Sequence, residues 1–208
     1  EKEICSTGGI KQNIHENYDL GGKHLTPEQF HKVLQEYWEV PTNSSPHSQI
    51  TEPETESESK RKKDLVIFDV RNRKEYHVGR FQGLSRDESQ KKVDALMSNT
   101  KVFAEWASEV ADPIVHSLKG KKVLMYCTGG IRCEKASAYL KSKGVADVSQ
   151  LSGGIHRYLE KYGSKGYFQG SNFVFDSRGL QKPPGAVILG KCFSCSQPDE
   201  SLTSDRVC

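Results

Sequence analysis

The segment KKVLMYCTGGIRCEKASAYL, residues 121–140, constrains the fold of this chain more than any other stretch. Its apolar run Val123–Tyr126 predicts a short buried strand, and the turn that follows contains two consecutive glycines. From Arg132 the pattern predicts a helix that continues without a breaker as far as Gly144. Cys127 therefore stands at the end of a strand, on a tight loop that leads into a helix.

A cysteine in this position has a definite chemical use. Loop glycines let backbone N–H groups point inward, and together with the positive end of the helix dipole these groups stabilise an anion. Such surroundings lower the pKa of a thiol and can also hold the terminal sulfur of a persulfide. Arg132, five residues after Cys127, can add a fork of donors at the loop rim. The alternative is a buried cysteine beside a purely structural turn.

The residues Tyr126–Lys135 resemble the active-site loop of rhodanese domains, most of all the branch containing bacterial tRNA uridine hydroxylases and eukaryotic rhodanese-like proteins. In rhodaneses the loop cysteine carries sulfur as a persulfide, so the resemblance implies that Cys127 is catalytic. It extends from about Gly22 to Asp176. The expected substrate-binding loop is Thr128, Gly129, Gly130, Ile131 and Arg132.

The same resemblance bears on the fold. Buried strands that alternate with helices predict a three-layer α/β domain with a mostly parallel sheet. The resemblance adds that the sheet has five strands and that the fold is rhodanese-like.

A second buried strand, Leu65–Phe68, leads to Asp69 and Arg71. Because ligands of open α/β sheets collect at the carboxyl ends of parallel strands, both residues are candidates for the site. Asp69 is predicted to accept hydrogen bonds from the active-site loop, and Arg71 to face the substrate. The alternative is a capping aspartate beside a solvated arginine. The stretch Glu75–Gly83 resembles the next rhodanese signature, although Arg80 stands where histidine is common.

The chain divides into a folded centre and less regular flanks. Residues 22–163 are predicted to form the rhodanese-like domain. Within it, residues 41–63 are rich in Ser, Thr, Pro and Glu and are predicted to be a disordered insertion, with a docking or modification segment as the alternative. Residues 1–21 are interpreted as a remnant or linker from a preceding domain. Residues 164–208 are interpreted as a C-terminal extension with a cysteine cluster.

Three further side chains each allow a functional and a structural interpretation. Trp106 is predicted to be a core residue rather than a platform on which a base stacks. His156 is predicted to be half-exposed on an amphipathic helix rather than a catalytic base. Cys133 lies on the apolar face of the helix after the loop, which favours a core position over a resolving thiol for Cys127.

Composition says more about the partners and the cellular compartment of the protein than about the reaction it catalyses. A net charge of +3 is compatible with tRNA as a partner without indicating it. No apolar run reaches the length of a membrane span, so no membrane partner is expected. Six scattered cysteines show no disulfide pattern and fit a reducing compartment, such as the cytosol or an organelle like the chloroplast. No targeting segment can be read from the sequence.

The tail contains Cys192 and Cys195 in CxxC spacing, followed by Cys208. This spacing is typical of tetrahedral zinc, which normally takes four ligands, and three thiols are visible in the sequence. A structural zinc site and an exposed cysteine tail are both compatible with the pattern. Sulfur transfer at the central loop is expected to require no cofactor.

Four functions are compatible with these features. The main prediction is a rhodanese-type sulfurtransferase, in which Cys127 takes sulfur from thiosulfate or a persulfide and passes it to a thiol acceptor. The alternative is hydroxylation of a tRNA wobble uridine by the same domain. A non-catalytic binding module is a further alternative, but it would have no need of Cys127. A cysteine phosphatase of this fold needs a longer loop than the four residues Thr128–Ile131, and is disfavoured.

Overall fold

The computed structural model describes residues 21–38, 64–84, 92–192 and 194–200. In chain order the strands are β1 (Lys23–Leu25), β2 (Leu65–Asp69), β3 (Gly79–Leu84), β4 (Lys92–Asp94), β5 (Leu96–Met97), β6 (Lys122–Tyr126), β7 (Asp147–Leu151), β8 (Phe168–Gly170), β9 (Asn172–Phe173) and β10 (Leu180–Gln181). The helices are α1 (Pro27–Trp38), α2 (Arg73–Val78), α3 (Asp112–Leu118), α4 (Ile131–Ser142) and α5 (Gly154–Tyr162). Short 3₁₀ turns occupy Phe103–Glu105 and Gly163–Lys165, and a π-helical segment occupies Trp106–Ala111.

The central sheet has five strands in the order β1–β7–β6–β2–β5, and every neighbouring pair is parallel. Strand β6 lies in the middle, and its residues face two different cores in alternation, as the two-residue period of a strand requires. Val123 and Met125 pack in one core, whereas Leu124 and Tyr126 pack in the other. The predicted α/β fold with a five-stranded parallel sheet is confirmed.

Helices cover both faces of the sheet and complete the three layers. The π-helical segment, α3 and α4 pack on one face, and α1 and α5 on the other. Trp106 is fully buried in the first of these cores, where its indole N–H donates to the hydroxyl of Ser98 at 3.1 Å. The prediction that Trp106 is a core residue is thus confirmed. Among the described residues, no helix has the length and apolarity needed to cross a membrane.

The segment after α5 packs back onto the domain. Strand β8 pairs antiparallel with β3, and the N–H of Ser171 donates to the carbonyl of Val78 at 2.8 Å. Strands β9 and β10 then form a small antiparallel pair. This arrangement brings residues 172–181 to the edge of the sheet at which β6 ends.

Two expectations about whole segments fall on residues that the structure does not describe. The proposed linker or remnant at residues 1–21 lies outside the described residues except for Gly21, and the proposed insertion at residues 41–63 lies entirely outside them. Both interpretations stay predictions.

Candidate active site

Cys127 follows directly after β6, and α4 begins at Ile131. Gly130 joins the loop to the helix with a φ of 99°, a left-handed conformation that glycine adopts without strain. The turn directs the N–H of Gly130 at Cys127, and the nitrogen lies 3.1 Å from the sulfur. The thiol is therefore held at the N-terminal end of a 12-residue helix, where a negative charge is stabilised.

The surroundings of Cys127 favour its ionised form. Burial raises the pKa of the thiol, but several groups outweigh burial and lower the pKa to about 6. These groups are the thiol of Cys133, which donates a hydrogen bond, the positive charge of Arg132, and backbone N–H groups that include Gly130. At neutral pH Cys127 is therefore mainly a thiolate, the reactive form of a cysteine.

Cys133 lies in the first turn of α4, has no exposed surface and packs in a hydrophobic core. The core interpretation is confirmed, but it is incomplete because the same thiol also donates to Cys127. Burial and the neighbouring sulfur of Cys127 raise the pKa of Cys133 well above its ordinary value. Cys133 thus keeps its proton and serves as a donor to the thiolate.

Replacing Cys133 with alanine is expected to raise the pKa of Cys127 from about 6 toward the ordinary value of ~8.5, because one donor to the thiolate is lost. Cys133→Ser keeps a hydroxyl donor and should raise the pKa less. The rate of Cys127 alkylation by iodoacetamide as a function of pH, followed by peptide mass spectrometry, measures both effects. An unchanged midpoint in the alanine variant would show that the thiol contact does not stabilise the anion.

The turn between β7 and α5 braces the active-site loop through its backbone. The N–H of Ile155 donates to the carbonyl of Cys127 at 3.0 Å, and the N–H of His156 donates to the carbonyl of Thr128 at 3.1 Å. Gly154 has a φ of 63°, and a Cβ at this position would lie 2.5 Å from the carbonyl oxygen of Thr128. Glycine is therefore required where the two turns touch.

Arg132 forms a buried ion pair inside the protein. Its terminal nitrogens donate to the carboxylate of Glu75 at 2.8 and 2.7 Å, and one of them also donates to the hydroxyl of Thr128 at 3.0 Å. Burial raises the pKa of Glu75, but the hydrogen bonds and charge of Arg132 outweigh burial and hold that pKa below its ordinary value. The fork of donors on Arg132 thus binds Glu75 and fixes the loop, and the expected contact of Arg132 with a substrate stays a prediction.

Glu75 is a site residue that the sequence pattern left without a role. It occupies the third position of α2, where Asn72 accepts its N–H and donates an N–H to its carboxylate, both at 3.1 Å. This capping box orients the carboxylate toward the loop. The Asn-x-x-Glu pattern was the available signal, but such a pattern indicates a helix start and says nothing about Arg132, which lies 57 residues away.

Arg132→Lys is expected to loosen the loop even though it keeps the positive charge, because an ammonium group cannot reproduce the fork. The loss in the free energy of unfolding should be about 2 kcal/mol, within the range for hydrogen bonds between charged groups. Urea denaturation measures this loss. Arg157→Lys, at an exposed ion pair with Glu160, is the control and should leave the urea midpoint nearly unchanged. Equal effects in the two variants would contradict the bracing role of Arg132.

The structure corrects the role predicted for Arg71. Neither Arg71 nor Asp69 has any exposed surface, and the guanidinium of Arg71 donates to the carboxylate of Asp69 at 2.9 and 2.7 Å. Arg71 therefore faces Asp69 rather than a substrate, and the hydroxyl of Tyr126, the residue before Cys127, also bonds to Asp69. The guanidinium carbon lies 5.7 Å from the ring centroids of both Tyr126 and Phe168. A guanidinium buried between these rings is destabilising unless an opposite charge pairs with it, and the carboxylate of Asp69 supplies that charge.

The arrangement of Cys127 at the end of a strand, in a loop with two glycines, can be compared with known protein families. The model of the Rhodanese-like domain family matches residues 52–161, just over half of the chain. The chain belongs to the rhodanese-like domain family.

Several curated proteins are similar to this rhodanese-like domain. Rhodanese-like domain-containing protein 6 of Arabidopsis thaliana is 38% identical over 84% of the chain, which corresponds to 26% of that protein. The tRNA uridine(34) hydroxylases of Corynebacterium kroppenstedtii and Kocuria rhizophila are 35% and 34% identical over 86% and 85% of the chain. These matches correspond to 49% and 48% of the two hydroxylases, so the chain spans half the length of these relatives or less.

A solved structure is also similar to the rhodanese-like domain. Saccharomyces cerevisiae Ygr203w, a homologue of single-domain rhodanese and of the Cdc25 phosphatase catalytic domain, is 15% identical with a TM-score of 0.43. The similarity covers 70% of this chain and 86% of that chain.

His156 of the rhodanese-like domain is half-exposed, as predicted. Its side chain is 37% exposed, and its ring lies 3.0 Å from the side-chain oxygen of Gln181 and 3.3 Å from the carboxylate of Glu160. The imidazole is thus engaged at the surface of α5, while the backbone N–H of the same residue braces the loop at Thr128.

The two described cysteines of the tail, Cys192 and Cys195, lie on a tight turn. The N–H of Ser196 donates to the carbonyl of Cys192 at 3.0 Å, and the N–H of Cys192 donates to the carbonyl of Gln197 at 2.8 Å. Within the part of the chain that the structure describes, no three metal-ligating side chains converge. Cys208, the third candidate ligand, lies outside that part. A zinc site formed by Cys192, Cys195 and Cys208 therefore stays a prediction.

Proposed function

We propose that the chain is the rhodanese-like part of an enzyme that modifies a wobble uridine of tRNA, with Cys127 as the reacting nucleophile. The observation that carries the proposal is the thiolate, since a pKa of about 6 and the N–H of Gly130 keep Cys127 charged at neutral pH. A thiolate is a strong nucleophile, so a cysteine that is ionised at neutral pH can form a covalent bond with a substrate. The relatives named tRNA uridine(34) hydroxylase support tRNA uridine as the substrate.

The test is nucleoside analysis of tRNA from cells that lack the gene for this protein, in a background without other uridine hydroxylases. Hydroxylated uridine at the wobble position should disappear, and the wild-type gene should restore it. An unchanged level of the hydroxylated nucleoside in the deletion strain would contradict the proposal.

A second function, sulfur transfer, is favoured by the size of the loop. Only four residues separate Cys127 from Arg132, and the N–H of Gly130 lies 3.1 Å from the sulfur, a cradle that suits a sulfur atom. The thiolate would attack the outer sulfur of thiosulfate, forming a new S–S bond on Cys127. Sulfite would leave with the electron pair of the broken S–S bond.

Intact-mass analysis of the purified chain after treatment with thiosulfate tests this second function. The mass should increase by one sulfur atom, and a reductant such as dithiothreitol should reverse the increase. A protein that stays unloaded at saturating thiosulfate would contradict sulfur transfer from this donor.

A further inference from the structure

Three exposed apolar side chains surround the opening above Cys127. Val102, Ile131 and Phe175 are 38, 43 and 45% exposed, and all three line the cleft that reaches the thiol. They belong to three separate segments of the chain, so their convergence does not follow from the pattern of a single element. Isolated exposed apolar side chains are ordinary. An apolar rim around a nucleophile instead indicates a ligand with an apolar face.

The ring of Phe175 is held in place beside the active-site loop. The hydroxyl of Thr128 lies 3.3 Å from the carbonyl oxygen of Phe173, which ties this segment to the loop. The rings of Phe173 and Phe175 pack edge to face with their centroids 5.0 Å apart. The guanidinium carbon of Arg132 lies 5.6 Å from the centroid of Phe175. Phe175 is thus fixed relative to Cys127 while almost half of its surface is exposed.

The cleft also offers a cation for a phosphate. Among the described side chains that line it, the thiolate of Cys127 lies at the bottom and the two cations are Lys101 and Arg132. Glu75 neutralises Arg132 in the buried ion pair. Lys101, which is exposed, is therefore the cation at the rim that can reach a phosphate.

We propose that Phe175, with Ile131 and Val102, binds the base of an unpaired uridine against Cys127, and that Lys101 contacts an adjoining phosphate. The proposal rests on the tRNA function proposed above and adds the residues that bind the substrate.

Two physical arguments select an unpaired base as the occupant. Aromatic side chains bind the bases of single-stranded RNA by stacking, whereas thiosulfate has no face that could stack. Cys127 is only 1% exposed, so a base within a paired stem could not reach it. Phe175 also lies beyond residues 52–161, the part of the chain that the family model matches.

The test uses the full chain and a fluorescent RNA stem–loop with uridines in its loop. Fluorescence anisotropy at fixed low salt gives the affinity, and iodoacetamide alkylation shows whether the RNA protects Cys127. Phe175→Ala is expected to weaken binding about 5- to 100-fold and to remove the protection. Phe175→Tyr keeps the ring and should keep both. Ile188→Ala removes another exposed apolar side chain, 46% exposed and away from the cleft, and should change neither.

Several outcomes would overturn the proposal. One is a Phe175→Ala protein that binds the RNA as tightly as the wild type. Another is an RNA that binds the wild type yet leaves Cys127 fully open to alkylation. A wild-type chain that binds no RNA would also overturn it, while the nucleoside analysis would still decide the proposed function separately. If Phe175→Ala changed the alkylation of Cys127 without RNA, the ring would be a structural part of the loop instead.

Discussion

Replacing Cys127 with serine is expected to abolish both tRNA modification and sulfur loading while leaving the fold intact. Serine is close to cysteine in size, so the buried position should accept it. Its hydroxyl does not ionise near neutral pH, and the cradle that lowers the pKa of Cys127 to about 6 cannot make an alkoxide of it. Nucleoside analysis of complemented cells and intact mass after thiosulfate measure the two losses.

Cys5→Ser is the control for this substitution, because Cys5 is a thiol outside the loop motif on which the prediction rests. It should retain both activities. A Cys127→Ser protein that restored wobble-uridine hydroxylation to the wild-type level would contradict the assignment of Cys127 as the nucleophile. A thermal midpoint equal to that of the wild type would show that a loss of activity is not a loss of fold.

Replacing Asp69 with alanine is expected to lower the free energy of unfolding by about 3–5 kcal/mol, the range for breaking a buried ion pair. Both side chains of the pair with Arg71 have no exposed surface, so the substitution leaves a guanidinium charge buried without its partner. Asp69→Asn keeps the shape of the side chain and some of its hydrogen bonds, so the free energy of unfolding should fall less. Urea denaturation followed by circular dichroism measures both changes.

The chain contains a matched control for this pair. Asp176 and Arg178 have the same spacing and the same forked contact, with nitrogen–oxygen distances of 2.9 and 2.5 Å, but their side chains are 50 and 57% exposed. Asp176→Ala should leave the urea midpoint nearly unchanged, because water solvates the remaining arginine. An Asp69→Ala protein with wild-type stability and no activity would contradict this and would show that Asp69 acts at the active site rather than on stability.

The active-site loop could be predicted from the sequence because its signals are local. An apolar run, a cysteine, two glycines and a helical pattern occupy consecutive positions, and each dictates backbone geometry within a few residues. The structure accordingly ends β6 directly before Cys127 and begins α4 at Ile131. Trp106 was assigned to the core on similar grounds, since a large apolar side chain is buried more often than it serves as a binding platform.

The partners of the loop could not be predicted, because they are distant in the sequence. Nothing in the motif around Glu75 indicates that its carboxylate binds Arg132. The position of Arg71 at a strand end suggested exposure, whereas the rings beside it bury its side chain completely. Phe175 reaches the cleft only because residues 172–181 fold back onto the domain. In each case tertiary packing decides the role of the side chain.

The pH dependence of Cys127 alkylation in the wild-type protein is the most direct test of the claim that the loop holds a thiolate. Because the folded protein lowers the pKa from the ordinary value to about 6, the rate should be half-maximal near pH 6. It should be nearly constant above neutral pH and fall as the thiolate is protonated at lower pH. A midpoint at or above ~8.5, the value of an unperturbed cysteine, would contradict the claim and make Cys127 a structural thiol.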